Sequence, residues 1–371
     1  MKYCVHSHVG VSLVESKGHI RPCCKFYWVG ETPTIFDVDS LDRVHELPFY
    51  KNIQQQLQSG EWPEHCRDCA SRESAGLQSR RQFTNKMYAS NNWIEPGYIQ
   101  DLEIAMDYTC NMMCRSCSAG ASSKWGSAST VLEQFAELDI ETDSVKNYKD
   151  YSDRFKQVLA NTDLSRARHV KLEGGEPFYS KHFDWFVDKL YTEADHTKLR
   201  LNITTNGSVF PRPQTLEKLQ KLRATISYSL DGYGELASTL RWGVDWQTIE
   251  NNICRMRDTT LSLTSNITVG LGNIGKLQPL RDFLLDMRIN DNYSFITHPE
   301  YLSVYQFDVA TRKQWCMGID KFDKELLADI NIEPELDKFV SSNSVLDDYQ
   351  QLTLRDVNPQ IYEVVDAYQR K

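Results

Sequence analysis

The chain has 371 residues, of which 40% are hydrophobic and 25% charged, the balance of a water-soluble globular protein with room for two or three packing units. A net charge of −9 and a pI near 5.6 exclude a protein that tracks nucleic-acid phosphates, and no apolar run approaches the roughly 20 residues of a bilayer span. The first residues lack the apolar core of a signal peptide, so the ten cysteines read as metal or redox ligands in a reducing, cytoplasmic setting, not as a disulfide framework.

The N-terminal segment, 1–92, holds Cys4, Cys23, Cys24, Cys66 and Cys69. A hairpin is predicted, with Cys4 and Val9 to Val14 in one arm and Gly18 to Cys23 in the other. A helix follows from Leu47 to Gly60, and Cys66-Arg-Asp-Cys69 is a C-x2-C pair, a common metal-ligand turn. Hairpin, helix and pair could gather Cys4, Cys23, Cys66 and Cys69 into one site that would satisfy zinc or an iron–sulfur cluster. Cys23 and Cys24 point to opposite faces of an extended chain, so one of them is a ligand. The spacing from Gly18 selects Cys23 and leaves Cys24 a free or substrate-side thiol.

From 93 to 300 the sequence alternates short strand-like runs with amphipathic helices. Strands are expected at Ile99 to Met106, around Val170 and Leu172, at Leu199 to Ile203, Ile226 to Leu230, Leu261 to Val269 and Tyr293 to Thr297. Helical stripes run through Phe183, Phe186 and Leu190, through Trp246, Ile249, Ile253 and Met256, and through Leu277, Leu280, Leu284 and Met287. Six alternations predict an α/β fold of parallel βαβ units with right-handed crossovers. Each strand runs into a polar turn: Cys110 to Cys117, Glu173 to Pro177, Thr205 to Gly207, Ser229 to Gly232, Gly270 to Asn273 and His298 to Glu300. Such folds bind ligands at these carboxyl ends. The long polar stretch from Ala119 to Arg168 is a candidate wall of a substrate cleft. Residues 301–371 are expected to be mostly helical and to cover the open side or base of the barrel. Cys254 and Cys316 are simplest as small, partly buried hydrophobes. The nine histidines show no His-Glu-x-x-His or other paired-ligand spacing, so a mononuclear metallohydrolase is not indicated.

The most specific signal is the C-x3-C-x2-C spacing of Cys110, Cys114 and Cys117, with the next cysteine only at Cys254. Structural zinc and electron-transfer 4Fe–4S clusters take four protein ligands, so three thiolates imply a cluster with one iron open to chemistry. This loop after a first strand, followed by Gly174-Gly175-Glu176 after the second, resembles the radical S-adenosylmethionine (radical SAM) superfamily over nearly all of 99–300. The resemblance implies a partial (β/α)6 TIM-like barrel and a 4Fe–4S cluster on Cys110, Cys114 and Cys117. It implies that SAM is held by Gly174, Gly175 and Glu176, by Ser229 and Asp231 at the ribose, by Arg241 near the carboxylate, and by Asn206 and Asn273 as softer contacts. Capping or turn roles are equally open for the two asparagines. One departure is Ser116, where relatives often carry a large apolar residue near the adenine; Tyr108 is the substitute suggested.

The Gly-x-x-x-Pro-Cys and Cys-x-x-Cys elements of the N-terminal segment resemble Twitch and SPASM auxiliary-cluster domains, here placed before the barrel and with fewer cysteines. That implies one auxiliary 4Fe–4S cluster on Cys4, Cys23, Cys66 and Cys69. The activity implied is reductive SAM cleavage to a 5′-deoxyadenosyl radical that abstracts hydrogen from a peptide or protein substrate, with a flavodoxin- or ferredoxin-like protein as electron donor. Dehydrogenation or rearrangement of a small molecule, or a metal-stabilised binding protein without turnover, are the alternatives. No nucleic-acid or membrane partner is expected.

Overall fold

The computed structural model describes residues 2–13, 18–27, 29–95, 97–117, 120–142 and 150–370. The strands in chain order are β1 (Gly10–Leu13), β2 (Asp101–Ala105), β3 (Met113–Cys114), β4 (His169–Glu173), β5 (Arg200–Thr205), β6 (Thr225–Ser229), β7 (Arg241–Trp242), β8 (Ser262–Val269) and β9 (Asn290–Phe295). Seven of them form one sheet in the order β1-β2-β4-β5-β6-β8-β9, and β3 and β7 pair separately. The pairings β1–β2, β2–β4, β4–β5 and β8–β9 are parallel, so the fold is the α/β arrangement that a partial radical SAM barrel requires. All six strands read from period-two runs are present, as are the helices Phe183–Glu193, Trp246–Arg257 and Gln278–Asp286. A further helix, Pro213–Lys221, opens on a proline at its first turn and was not among the helices read from the sequence.

By its internal contacts the chain divides into two units. The first comprises Met1–Tyr108, Tyr148–Thr204 and Pro211–Thr225; the second comprises Thr109–Asn147, Thr205–Phe210 and Ile226–Lys371.

In the first unit the pleat sorts side chains by chemistry. Val11, Leu13, Leu102, Ile104, Val170, Leu172, Leu201 and Ile203 occupy alternate positions and are buried. The other face carries Ser12, Asp101, Glu103, His169, Lys171, Glu173, Asn202 and Thr204. The helix Pro48–Ser59 ends at Gly60, whose φ of 89° is the left-handed cap that glycine adopts without strain. The predicted hairpin is seen only in part among the described residues. Val14 lies outside the described residues, His6–Val9 is one helical turn, and Gly10–Leu13 pairs in parallel with β2. A single antiparallel bridge, Ser12 to Arg21, joins the two expected arms. An isolated two-stranded hairpin is marginal in water, whereas a sheet edge offers β1 a row of backbone partners and complete burial.

In the second unit the polar stretch expected to be a long loop contains the helix Ser129–Glu137, while residues 118–119 and 143–149 lie outside the described set. Met113 is fully buried against Trp125, Val131, Phe135 and Leu346. The C-terminal residues are helical as expected, in Asp320–Leu326, Leu336–Gln350 and Pro359–Gln369. The Leu336–Gln350 helix grips the cysteine-bearing loop. Gln350 Nε2 donates to the Met113 carbonyl at 3.3 Å, and the buried Arg115 guanidinium donates to Asn343 Oδ1 at 3.0 Å and to the carbonyls of Thr239 and Leu352. Asp347 closes the arrangement with an ion pair to Arg115 at 2.6 Å.

Removing Asp347 would leave the Arg115 charge buried with only neutral acceptors. Because three of those remain, the expected loss for Asp347→Ala is roughly 1.5–3 kcal/mol, the worth of a charge-assisted hydrogen bond, below the penalty for stripping a buried charge completely. Chemical denaturation would measure it; a variant as stable as the parent would remove this pair from the scaffold.

Candidate functional site

The second unit builds a loop around three thiols. Cys114 sits in β3, directly opposite Arg241 in the antiparallel β3–β7 ladder. Burial pushes the Cys114 thiol up to about 11, with the Arg241 charge opposing the rise. Cys110 is half-buried, and its sulfur accepts the Met112 N–H at 3.4 Å and the Asn206 amide at 3.8 Å. The Cys110 N–H donates to Ser123 Oγ at 3.0 Å. Cys117 follows in a turn in which its N–H reaches the Cys114 carbonyl at 3.1 Å. Three free thiols, one buried and two half-buried, with N–H groups aimed at one sulfur, are a donor set suited to iron–sulfur ligation.

Asn206 belongs to the same network. Its amide nitrogen also donates to Asn111 Oδ1 at 3.0 Å, and its oxygen accepts the Ser208 N–H at 2.9 Å. The Thr205-Asn206-Gly207 turn is therefore tied to the cysteine loop through Asn111 and Ser208, and Asn111 Nδ2 completes the triangle at 3.0 Å. Neither Asn111 nor Ser208 was singled out from sequence.

The residues assigned to the ribose and carboxylate of SAM interact with each other. Asp231 is almost fully buried; its Oδ2 accepts Arg241 Nη1 at 2.8 Å and its Oδ1 accepts the Thr268 N–H at 2.9 Å. Ser116 Oγ approaches the same carboxylate at 3.4 Å. The buried Asn273 donates to the Asp231 carbonyl at 2.9 Å and the Thr268 carbonyl at 2.8 Å, and accepts the Gly270 N–H at 2.9 Å. Both of its donors are thus committed to the backbone, the turn-holding alternative for this residue. Ser229 ends β6 half-buried. A small recess of about 30 Å3 opens beside Ser116 and Asp231, with Leu240, Leu271, Ile296 and Phe339 among its walls. Phe339 comes from the C-terminal helix, so no reading of local motifs could have found it. Among the described residues no helix is long and apolar enough to cross a membrane.

The first unit holds the Gly174-Gly175-Glu176 turn at the end of β4. Gly174 has φ of 129°, and a Cβ there would lie 2.7 Å from the Asp107 carbonyl, so both conformation and space demand glycine. The Gly175 N–H donates to that carbonyl at 3.3 Å. Glu176 is 1% exposed and accepts the Phe178 N–H at 3.2 Å, capping the short Pro177–Tyr179 turn.

The same unit gathers the N-terminal thiols. Cys4, Cys23 and Cys66 pack on the apolar cluster of Phe26, Ile53 and Leu57. Cys69, at the start of the Arg67–Ser74 helix, acts electrostatically on all three. Burial pushes the Cys4 and Cys66 thiols up to about 12 and Cys23 well above its ordinary value. Cys24 faces a different environment: its N–H donates to Glu103 Oε2 at 3.0 Å. Among the described residues no three His, Cys, Asp or Glu side chains surround a single-ion position.

Comparison with known proteins places this geometry in context. Residues 106–284, just under half of the chain, match the radical SAM superfamily model. No curated protein matches. Among solved structures, native anSMEcpe with bound AdoMet and Kp18Cys peptide is 14% identical at a TM-score of 0.38, over 57% of this chain and 56% of that one. Streptococcus suis SuiB bound to S-adenosylmethionine is 16% identical at 0.38, over 79% and 62%. The same protein bound to precursor peptide SuiA is 14% identical at 0.38, over 90% and 73%. The chain thus spans little more than half the length of the first of these. The segment that matches the superfamily model takes in Cys110, Cys114, Cys117, Gly174 to Glu176, Asn206, Ser229, Asp231, Arg241 and Asn273.

Proposed function

We propose that the chain is a radical SAM enzyme that acts on a peptide or protein. The observation that carries this reading is the Cys110–Cys114–Cys117 loop, with no disulfide, inside the matched segment, with Arg241 opposite Cys114 in a strand ladder. Cys110, Cys114 and Cys117 would hold a 4Fe–4S cluster, which when bound would supply the electron for reductive cleavage of SAM and so the means of abstracting hydrogen from the substrate. The protein's part is to bind, orient and exclude water.

In this reading Cys110, Cys114 and Cys117 hold the cluster, with Asn206 and Arg241 supporting Cys110 and Cys114. Gly174 and Gly175 let SAM's methionine approach the backbone, and Glu176 receives its ammonium. Ser229 and Asp231 meet the ribose. Asp231 does so while paired to Arg241, so Arg241 orients that carboxylate as well as facing SAM's own. Asn273 serves by holding the Asp231 turn. The apolar recess beside Ser116, walled by Leu240, Leu271, Ile296 and Phe339, is assigned to the adenine in place of Tyr108. Segment 1–92 carries one auxiliary 4Fe–4S cluster on Cys4, Cys23, Cys66 and Cys69, segment 93–300 the barrel, and 301–371 its helical cover. The auxiliary cluster passes an electron or anchors substrate, and a flavodoxin- or ferredoxin-like protein reduces the system. The peptide substrate is favoured by the peptides bound in anSMEcpe and SuiB, in proteins only distantly similar to this one.

Formation of 5′-deoxyadenosine from SAM under anaerobic reducing conditions tests the reading, and a reconstituted protein that makes none would end it. Such protein should hold about eight irons per chain. Replacing Cys110, Cys114 and Cys117 by alanine should halve that; about four irons with stoichiometric zinc in the wild type would rule out the auxiliary cluster. Cys23→Ser should lose the auxiliary iron while Cys24→Ser keeps it, because Cys23 packs with Cys4 and Cys66 and Cys24 is turned to Glu103. The opposite pattern in iron analysis would reverse the assignment. Glu176→Gln keeps the shape and the cap but removes the charge, so SAM affinity should fall about ten- to hundredfold at unchanged iron content. Anaerobic equilibrium titration reads this, and unaltered affinity would take Glu176 out of the site.

A further inference from the structure

A parallel sheet buried on both faces is built from continuous apolar runs. The first unit departs from that on one face. Its register aligns Ser12 of β1 with Glu103 of β2, Glu103 with Lys171 of β4, and Lys171 with Asn202 of β5, giving an unbroken polar row across four strands. Beside the row, Glu103 Oε1 accepts Arg80 Nη2 at 2.8 Å, and Lys171 pairs with Glu173. Glu103 is 1% exposed, yet Arg80, Lys171 and Glu173 keep 24%, 26% and 23% of their side-chain surface. Burial would raise the Glu103 carboxyl, but Arg80 and Lys171 hold it down to about 2, so it is charged at neutral pH.

Among the described residues Ser12 Oγ, Arg80 Nε and Thr204 Oγ1, on or beside this face, are buried with no hydrogen-bond partner. Ser12 as a residue is 0% exposed. Buried donors and hydroxyls are satisfied in the great majority of cases, so three together on a charged face mark a place where something else supplies the partners.

We propose that this face binds the zwitterion of a free α-amino acid, with its carboxylate on Arg80 Nε and Lys171 and its ammonium on Glu173. Ser12 and Thr204 supply the remaining hydrogen bonds. Two cations and two carboxylates already paired in alternation accept a ligand of both signs without leaving a net buried charge. The proposal goes beyond the radical SAM reading above: it assigns a further ligand, a free amino acid, to the polar face of the first unit. Because Glu173 directly precedes Gly174, SAM's own amino-acid group is the competing occupant.

The test is calorimetric titration of L-alanine, L-alaninamide and N-acetyl-L-alanine into reconstituted protein, with and without saturating SAM. L-Alanine should bind with Kd of about 1–10 mM, and the two blocked forms at least tenfold more weakly. Lys171→Met should weaken L-alanine binding about tenfold and leave alaninamide unaffected, while Lys171→Arg restores it and both variants keep wild-type SAM affinity. No L-alanine binding, equal binding of all three probes, or displacement of L-alanine by SAM would overturn the proposal. Protein that binds L-alanine in this pattern but neither binds nor cleaves SAM would retain this site and sink the enzymatic reading.

Discussion

The second unit depends on one buried carboxylate. Asp231 takes Arg241 on one oxygen and the Thr268 N–H on the other, and Asn273 binds its carbonyl. Through these three contacts the end of β6, the short β7 and the end of β8 are held in one arrangement. Because β7 pairs with β3, the same carboxylate governs where Cys114 stands. A buried ion pair is weak evidence for stability, since desolvation offsets most of its attraction. Its use here is geometric: a fully bonded carboxylate admits few alternative loop conformations.

The C-terminal residues extend that constraint. The Leu336–Gln350 helix supplies Asn343 and Asp347 to Arg115, Gln350 to the Met113 carbonyl, and Leu346 to the cluster around Met113. Arg115 stands between Cys114 and Ser116, so the helix acts on the cysteine loop at its centre. The same helix contributes Phe339 to the recess beside Ser116. A small residue at Ser116 and a large one at Phe339 are complementary: the first leaves space, and the second, far along the chain, fills part of its wall.

The first unit obeys a different rule, the pleat of a parallel sheet. One face satisfies the hydrophobic effect with Val11, Leu102, Ile104, Val170, Leu172 and Ile203. The other concentrates charge, with Asp101 and Glu103 on one strand and His169 and Lys171 on its neighbour. Opposite charges in cross-strand register hold such a face together without an apolar core. The thiols of this unit sort by the same logic: Cys23 joins the apolar Phe26 cluster, and Cys24, one residue on, joins the charged side through Glu103.

The sequence by itself determined the strands and most helices, because period-two and period-3.6 patterns are local consequences of burying one face. It also determined the cysteine loop and the Gly174–Glu176 turn. C-x3-C-x2-C is a local spacing, and Gly174 is required by a positive φ and by a carbonyl from the neighbouring strand's end. The N-terminal hairpin was legible only in part, because a four-residue run carries no record of all its partners: Gly10–Leu13 bridges the second arm at Ser12 and Arg21 and also pairs as a sheet edge with β2. Only tertiary structure could reveal that Asp231 and Arg241 pair with each other, that Asn111 and Ser208 complete the network at Cys110, and that Arg115 answers to Asp347 across more than two hundred residues of chain. These are contacts between side chains remote in sequence, set by packing and by the demand that buried polar groups be bonded, and neither leaves a periodic trace in the chain.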